Sequence, residues 1–151
     1  DLTVPADIRI GLIESYDTTI RTTLRQMGVD FDLLADSDLS LDNLRGYTTV
    51  IADMRAYFAR PAVAAGNGAL LDYAKGGGHL LVLYHKTFEW DPGLAAYPIR
   101  ISRNRTTRED ADVAILAPAH PFFTTPHMIG PADWEGWIQE RGLYFADQWD
   151  E

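Results

Sequence analysis

The sequence contains no cysteine among its 151 residues. That absence excludes disulfide bonds, thiolate metal ligands and a cysteine nucleophile. Basic residues are scarce too, because 13 lysines and arginines stand against 22 aspartates and glutamates, for a net charge of −9. Non-specific nucleic-acid binding requires a basic surface, and anionic membranes attract basic segments. The apolar runs are far shorter than a spanning helix requires. We therefore expect neither nucleic acid nor a membrane as a partner.

Several catalytic and ligand-binding motifs are also missing. The chain has no Gly-x-Ser-x-Gly elbow, no His-Glu-x-x-His sequence and no pair of histidines four residues apart on a predicted helix. His85 and Glu89 form the one pair of potential metal ligands, and two ligands do not make a site. Gly76 to Gly78 follow a predicted helix and precede a strand, whereas phosphate-binding glycines lie in the opposite order. We expect no metal, no cofactor and a simple helix cap at these glycines.

What the first half does contain is an alternation of apolar runs and helical patterns. Hydrophobic residues make up 46% of the chain, enough for a core. Four buried strands are predicted at 7–13, 31–34, 48–53 and 79–84. Helical patterns separate them at 19–27, 38–45 and 61–75. Such an alternation is typical of an α/β protein with a mostly parallel sheet and helices on both faces.

The second half is irregular and rich in proline and aromatic residues. Strands are predicted at 99–101, at 113–116 and near 142–145, with a helical turn at 131–137. We expect residues 7–151 to form a single domain, and residues 1–6 to be a linker from a longer protein. Trp134 and Trp137 are spaced either for stacking on a carbohydrate or, more commonly, for anchoring a short helix.

Polar residues follow the first, third and fourth predicted strands, whose C-terminal ends meet at one edge of a parallel sheet. Ligands bind at that edge in open α/β sheets. His85 is the best single candidate for acid–base chemistry by residue type and position, and a hydrogen-bonded structural histidine is the alternative. Arg55 can pair with Asp17 or Glu89 instead of a ligand. The candidate ligand-binding residues at this edge are Tyr16, Asp17, Arg55, Tyr57, His85, Lys86 and Glu89.

One further candidate lies in the second half of the chain. Residues 100–108 carry four arginines in an otherwise acidic protein, and Arg103 is the central candidate. Guanidinium groups grip carboxylates, phosphates or sugar oxygens. The same arginines can pair with acidic loops or with a partner chain.

The core of the chain resembles the class I glutamine amidotransferase-like fold, a flavodoxin-like three-layer α/β/α arrangement. Gly76-Gly-Gly-His-Leu-Leu-Val-Leu-Tyr-His85 is similar to its ThuA-like branch, in which a histidine follows the central strand. Four segments, at 50–57, 70–78, 97–103 and 133–145, are similar to the domain that follows the catalytic domain in bacterial PIG-L/LmbE-type deacetylases.

This resemblance implies a non-catalytic accessory domain for substrate binding, docking or oligomerisation, with a carbohydrate as ligand. In that family, zinc-dependent deacetylation of glucosamine-type sugars belongs to an upstream domain, and its His-Pro-Asp-Asp motif is missing here. The family's domain continues with further strands and a helix, so we expect this sheet to expose an edge or to be covered by another chain, such as a second copy. The alternatives are a ThuA-like sugar enzyme using His85 as acid or base, and a pure dimerisation module.

Overall fold

A four-stranded parallel sheet forms the centre of the computed structural model, which describes residues 4–125, 127–138 and 142–149. Its strands are β1 (Ile10–Ile13), β2 (Phe31–Leu33), β3 (Thr49–Ala52) and β4 (His79–Val82). They lie in the order β2-β1-β3-β4, and every neighbouring pair is parallel. The predicted α/β class and parallel sheet are confirmed. Residues 1–3 of the expected linker lie outside the described residues.

Five helices connect these strands: α1 (Thr19–Gln26), α2 (Leu41–Leu44), α3 (Ala56–Ala59), α4 (Pro61–Ala65) and α5 (Asn67–Lys75). The carboxylate of Asp17 caps α1 by accepting from the backbone N–H of Thr19 at 2.9 Å. Gly28 ends the following turn with a φ of 69°, a left-handed conformation that favours glycine. The short polar residue at 17 therefore satisfies the first backbone N–H of α1.

The helix predicted over 61–75 is divided into α4 and α5, and α3 precedes it. Pro61 begins α4, as expected of a residue without a backbone N–H. Gly66 separates the two helices, where an added Cβ would lie 3.1 Å from the carbonyl oxygen of Ala62 and 3.3 Å from Leu39. Glycine therefore suits this junction, because a side chain would crowd these atoms.

The three glycines after α5 form the predicted cap and turn. Gly77 has a φ of 99°, which a residue with a side chain rarely adopts. An added Cβ at Gly78 would lie 2.2 Å from the ring of Tyr73. The run of glycines thus lets the chain reverse tightly over an aromatic ring before β4 begins.

Hydrophobic residues pack in two separate clusters, one on each face of the sheet. Leu12 and Ile51 are in register on neighbouring strands and pack with Leu24 of α1. Val50, one position along β3, packs instead with Leu70 of α5. Because successive strand residues point to opposite faces, α1 and α5 cover different sides of the sheet.

β4 is an edge strand, so the prediction of a buried fourth strand is wrong. It pairs with β3 alone among the described residues, and Leu81 keeps 49% of its surface exposed. A purely apolar run is typical of a strand with neighbours on both sides. Here the sequence pattern and the position in the sheet disagree.

The described chain divides into two compact units. Residues 4–102 and 146–149 form the first, in which β5 (Ile99–Ile101) pairs antiparallel with the final strand of the chain (Ala146–Trp149). Residues 103–125, 127–138 and 142–145 form the second, which holds β6 (Arg105–Thr106), α6 (Pro121–Thr124) and β7 (Gly142–Leu143). The final strand is labelled β8. No helix in the described part of the chain is long and apolar enough to cross a membrane.

Predictions for the irregular half are partly confirmed. The strand at 99–101 is present as β5, and a 3₁₀ turn at Pro131–Trp134 begins the predicted helical turn. The strand predicted at 113–116 is wrong, because this segment has no ladder partner among the described residues and Leu116 is 94% exposed. An apolar run forms a strand only when another strand is available to accept its hydrogen bonds. Residues 139–141 of the segment that carries the family resemblance lie outside the described residues.

Candidate functional site

His85 lies three residues beyond β4, at the edge of the sheet where the strands end, and its ring is buried. Nδ1 is 2.8 Å from the carbonyl oxygen of Leu83, which can only accept, so Nδ1 carries the proton. Nε2 accepts from the backbone N–H of Tyr57 at 3.3 Å. Both ring nitrogens are therefore occupied by the backbone.

The surroundings of His85 favour its neutral form. Its ring packs against Tyr57 and Trp90, at centroid distances of 5.5 and 5.3 Å. Burial lowers the pKa of His85 below its ordinary value, although the Leu83 carbonyl opposes that effect. A neutral imidazole with both nitrogens engaged holds two backbone segments together. This is the structural alternative that the sequence left open.

The switch point of the sheet lies between β1 and β3, where ligands commonly bind in this kind of topology. Asp53 follows β3 and is 1% exposed. Its carboxylate accepts from the N–H of Met54 at 2.7 Å and from the N–H and hydroxyl of Ser15, each at 3.4 Å. The Ser15 hydroxyl also lies 2.5 Å from the carbonyl oxygen of Met54. The Asp53 carboxylate and the Ser15 hydroxyl are thus hydrogen-bonded to each other and to Met54 at this crevice.

Arg55 is bound to the carboxylate of Glu89, which resolves the choice between Asp17 and Glu89. Its Nε donates to both carboxylate oxygens at 2.9 and 3.0 Å, and Nη2 makes a further short bond. The Glu89 side chain is fully buried and also accepts from the N–H of Lys86 at 3.2 Å. Its hydrogen bonds from Arg55 lower the pKa of Glu89, so the carboxylate stays charged beside the guanidinium.

The backbone of Arg55 is strained in the same place. Its φ of 63° is in the left-handed region, which costs free energy for any residue other than glycine. The Arg55 N–H donates to the carbonyl oxygen of Tyr84 at 2.8 Å, so the unusual conformation joins the ends of β3 and β4. A bidentate ion pair and a cross-strand hydrogen bond together hold this residue.

An exposed aromatic surface covers the Arg55 guanidinium. The ring of Tyr16 lies 4.8 Å from it and the ring of Phe58 lies 5.6 Å from it, both within cation–π range. Phe58 also meets Phe88 edge to face at 6.4 Å, and the Lys86 ammonium lies 5.8 Å from the Phe88 ring. Tyr16, Phe58 and Phe88 are all exposed.

A buried chain of hydrogen bonds supports the site from below. The Tyr57 hydroxyl donates to Oδ1 of Asn67 at 2.8 Å, and Nδ2 of Asn67 donates to the carbonyl of Leu94 at 3.0 Å. Burial raises the pKa of Tyr57 to about 12. Sequence reasoning missed Asn67, because a polar residue within the helix predicted over 61–75 gives no local sign that a tyrosine ten residues away needs an acceptor.

Arg60 is a second residue that sequence reasoning missed. Its guanidinium donates to the carbonyl oxygens of Glu14 at 3.2 Å and Leu34 at 3.0 Å, and it pairs with Asp36. These carbonyls follow β1 and β2. Arg60 therefore joins the ends of β1 and β2, which the contacts of Asp53, Arg55 and His85 do not join.

The sequence-predicted residues divide into three sets. The structure brings Tyr16, Arg55 and Glu89 together, with the Lys86 backbone, and places Tyr57 against His85. Asp17 caps α1 instead, and Arg103 is exposed in the second unit. Within the described residues, no group of three or more histidine, aspartate or glutamate side chains is arranged to hold a metal ion.

No protein-family model matches this chain, and no curated protein or solved structure matches it significantly. The geometry of the sheet edge therefore carries the functional argument.

Proposed function

We propose that this chain is a flavodoxin-like, amidotransferase-like accessory domain of a PIG-L/LmbE-type deacetylase, and that it performs no chemistry of its own. Two features support the fold assignment. The order β2-β1-β3-β4 corresponds to the first four strands of the flavodoxin-like order, and hydrophobic clusters cover both faces of the sheet. The family assignment rests on the similar sequence segments at 50–57, 70–78, 97–103 and 133–145.

The observation that carries the non-catalytic role is the engagement of both His85 nitrogens by the backbone. A general base needs a free nitrogen within hydrogen-bond reach of its substrate, and a nucleophile needs an accessible lone pair. His85 offers neither while the Tyr57 N–H and the Leu83 carbonyl hold it. For the same reason we do not favour a sugar enzyme that uses His85 as acid or base.

Ammonia release from glutamine by the purified chain tests this role. We expect no release above background, and the same result for His85→Phe. Hydrolysis that His85→Phe abolishes and His79→Phe preserves would refute the proposal, since His79 is an exposed histidine at the opposite end of β4. The neighbouring coding sequence provides a second test, because an upstream zinc deacetylase domain is required by the proposal.

One observation favours self-association as an additional role. The outer edge of β4 carries His79, Leu80, Leu81 and Val82, without the lysine or proline that commonly protects an edge strand. The opposite edge strand, β2, carries Asp32. We infer that β4 pairs with β4 of a second copy, which would shield Leu81.

Sedimentation velocity across a concentration series tests this role. We expect a dimer that Leu81→Lys converts to a monomer. Leu33→Lys is the matched control, because Leu33 on β2 is 47% exposed and Leu81 is 49% exposed. A monomer at every concentration, or equal effects of both substitutions, would contradict pairing through β4.

A further inference from the structure

The second unit contains a cavity of about 530 Å³, within the range of roughly 300–1,000 Å³ of small-molecule sites. Irregular segments around residues 110–118 and 129–137 form its walls. Trp134 and Trp137 are the aromatic residues of these walls, and Asp110 and Asp112 are the charged ones. Among the described residues that line the cavity, none is a lysine, an arginine or a histidine.

The two tryptophans form a corner of the wall. Their ring planes are inclined at 73° with centroids 5.3 Å apart, so the edge of one indole meets the face of the other. This contact covers at most one indole face of the pair. Trp137 keeps 54% of its surface exposed, although large aromatic side chains are usually covered in a folded chain. A residue that lines the cavity therefore has aromatic surface left for a ligand.

The charges around the cavity favour a cation. Arg108 donates to both oxygens of Asp110 at 3.1 and 3.0 Å, which neutralises that carboxylate. Asp112 is exposed, so its carboxylate keeps its water and attracts a cation from a distance without a desolvation cost. The whole chain carries a net charge of −9, which acts in the same direction. An anionic ligand would be repelled here.

We propose that this cavity binds a small quaternary ammonium cation. The face of an aromatic ring is electrostatically negative, and tryptophan attracts cations more strongly than the other aromatic residues do. A quaternary ammonium has no N–H group, so it requires no hydrogen-bond acceptor in the wall. Its alkyl groups are apolar, so contact with the indole of Trp137 also removes apolar surface from water. A primary ammonium would bring N–H donors, and Arg108 already occupies Asp110.

This inference rests on residues of the second unit alone. It is independent of the non-catalytic role proposed for the sheet edge, which concerns residues of the first unit. A chain that binds the cation and also releases ammonia from glutamine would refute the proposed function and support this inference. A chain that does neither would do the reverse.

Saturation-transfer NMR with the full chain tests the proposal. The two probes are choline and its neutral carbon analogue, in which a tert-butyl group replaces the trimethylammonium group. The probes have nearly the same shape and apolar area, so a difference in affinity reports the positive charge. We expect choline to bind about threefold to thirtyfold more tightly, the range of one cation–π contact. Equal affinities, or no transfer to choline at millimolar concentration, would overturn the proposal.

Two substitutions of Trp137 test the aromatic wall. The preference for choline over the neutral analogue should decrease from the unmodified chain to Trp137→Phe, and should be lost in Trp137→Leu. Binding of the neutral analogue by Trp137→Leu would show that the cavity is intact, and Trp137→Phe decides if that variant binds neither probe. Phe122→Leu is the matched control, because Phe122 is an exposed aromatic residue of the second unit that does not line the cavity. A preference that survives both Trp137 substitutions would overturn the proposal.

Two further arms test the charge and the source of the ligand. Asp112→Asn should weaken choline binding about twofold at low salt and leave the neutral analogue unaffected, because a hydrated carboxylate acts through a screened field. Asp72→Asn removes an exposed carboxylate on α5 and should have no effect, and an equal loss in both variants would count against this cavity. Phosphocholine should bind more weakly than choline, and equal binding would identify a lipid headgroup as the source of the cation.

Discussion

Replacing His85 by phenylalanine tests whether the histidine is a structural connector at the sheet edge. Phenylalanine keeps an aromatic ring against Tyr57 and Trp90 and removes both hydrogen bonds. The buried N–H of Tyr57 then loses its acceptor, which costs about 1–3 kcal/mol. Loss of the bond to Leu83 adds about 1 kcal/mol. At pH 8 we expect the free energy of unfolding to fall by about 2–4 kcal/mol.

The same substitution should change how stability depends on pH. Burial lowers the pKa of His85 in the folded chain below its ordinary value of 6.5. The unfolded chain therefore binds this proton more readily, and protonation favours unfolding. The contribution of His85 to stability is fully present above pH 6.5 and is lost as pH falls from 6.5 through the folded-state pKa. The maximum slope for one proton is about 1.4 kcal/mol per pH unit.

Urea unfolding at pH 8, 7, 6 and 5 measures the effect as the difference between unmodified and variant chains. That difference should shrink as the pH falls, because only the unmodified chain loses the His85 contribution. His79→Phe, at the exposed end of β4, is the matched control and should change stability by less than about 0.5 kcal/mol. A difference for His85→Phe that stays constant or grows on acidification would refute the structural assignment.

Three other substitutions test the packing of the first unit by urea unfolding. Tyr57→Phe leaves buried Oδ1 of Asn67 without its donor and should cost about 1–3 kcal/mol at pH 8. Burial raises the folded-state pKa of Tyr57 to about 12, so the unfolded chain loses this proton more readily. The unmodified chain should therefore lose stability as pH rises above 10, by up to about 1.4 kcal/mol per pH unit from this group. Tyr57→Phe should remove this contribution to the pH dependence. Gly78→Ala places a methyl group 2.2 Å from the Tyr73 ring and should lower the free energy of unfolding by more than about 1 kcal/mol. Gly68 lies in α5 with no atom within 4 Å of an added Cβ, so Gly68→Ala should raise the free energy of unfolding by about 0.5–1 kcal/mol. Equal effects at the two glycines, or no effect of Tyr57→Phe, would contradict the packing described.

The parts of the fold that local chemistry determines were predictable. The runs at 31–34 and 48–53 enclose β2 and β3, because an apolar run between polar turns leaves little other choice. Gly28 and Pro61 also mark helix boundaries as expected. The failures concern relations between segments. The run at 113–116 has strand composition and no pairing partner in the part of the chain that the structure describes, and β4 has core composition at an edge of the sheet.

The same difference between local chemistry and contacts between distant segments explains which features of the sheet edge could be predicted. Glu89 was predictable as one of two possible partners of Arg55, because parallel strands bring their ends together and opposite charges pair, but the choice between Asp17 and Glu89 required the structure. The left-handed backbone of Arg55 and the engagement of Asn67 were not predictable, since each depends on groups 10 or more positions away. The packing of Trp90 on His85 could not be predicted from the local sequence pattern either.

The polar contacts at the ends of the strands explain why the sheet edge is suited to holding the fold together. At the sheet edge, side chains of the first unit join every pair of neighbouring strand ends: Arg60 joins β2 and β1, Asp53 joins β1 and β3, and the surroundings of Arg55 and His85 join β3 and β4. Each of these bonds satisfies a donor or acceptor within the chain, so a ligand that took the place of one partner would have to break an internal bond.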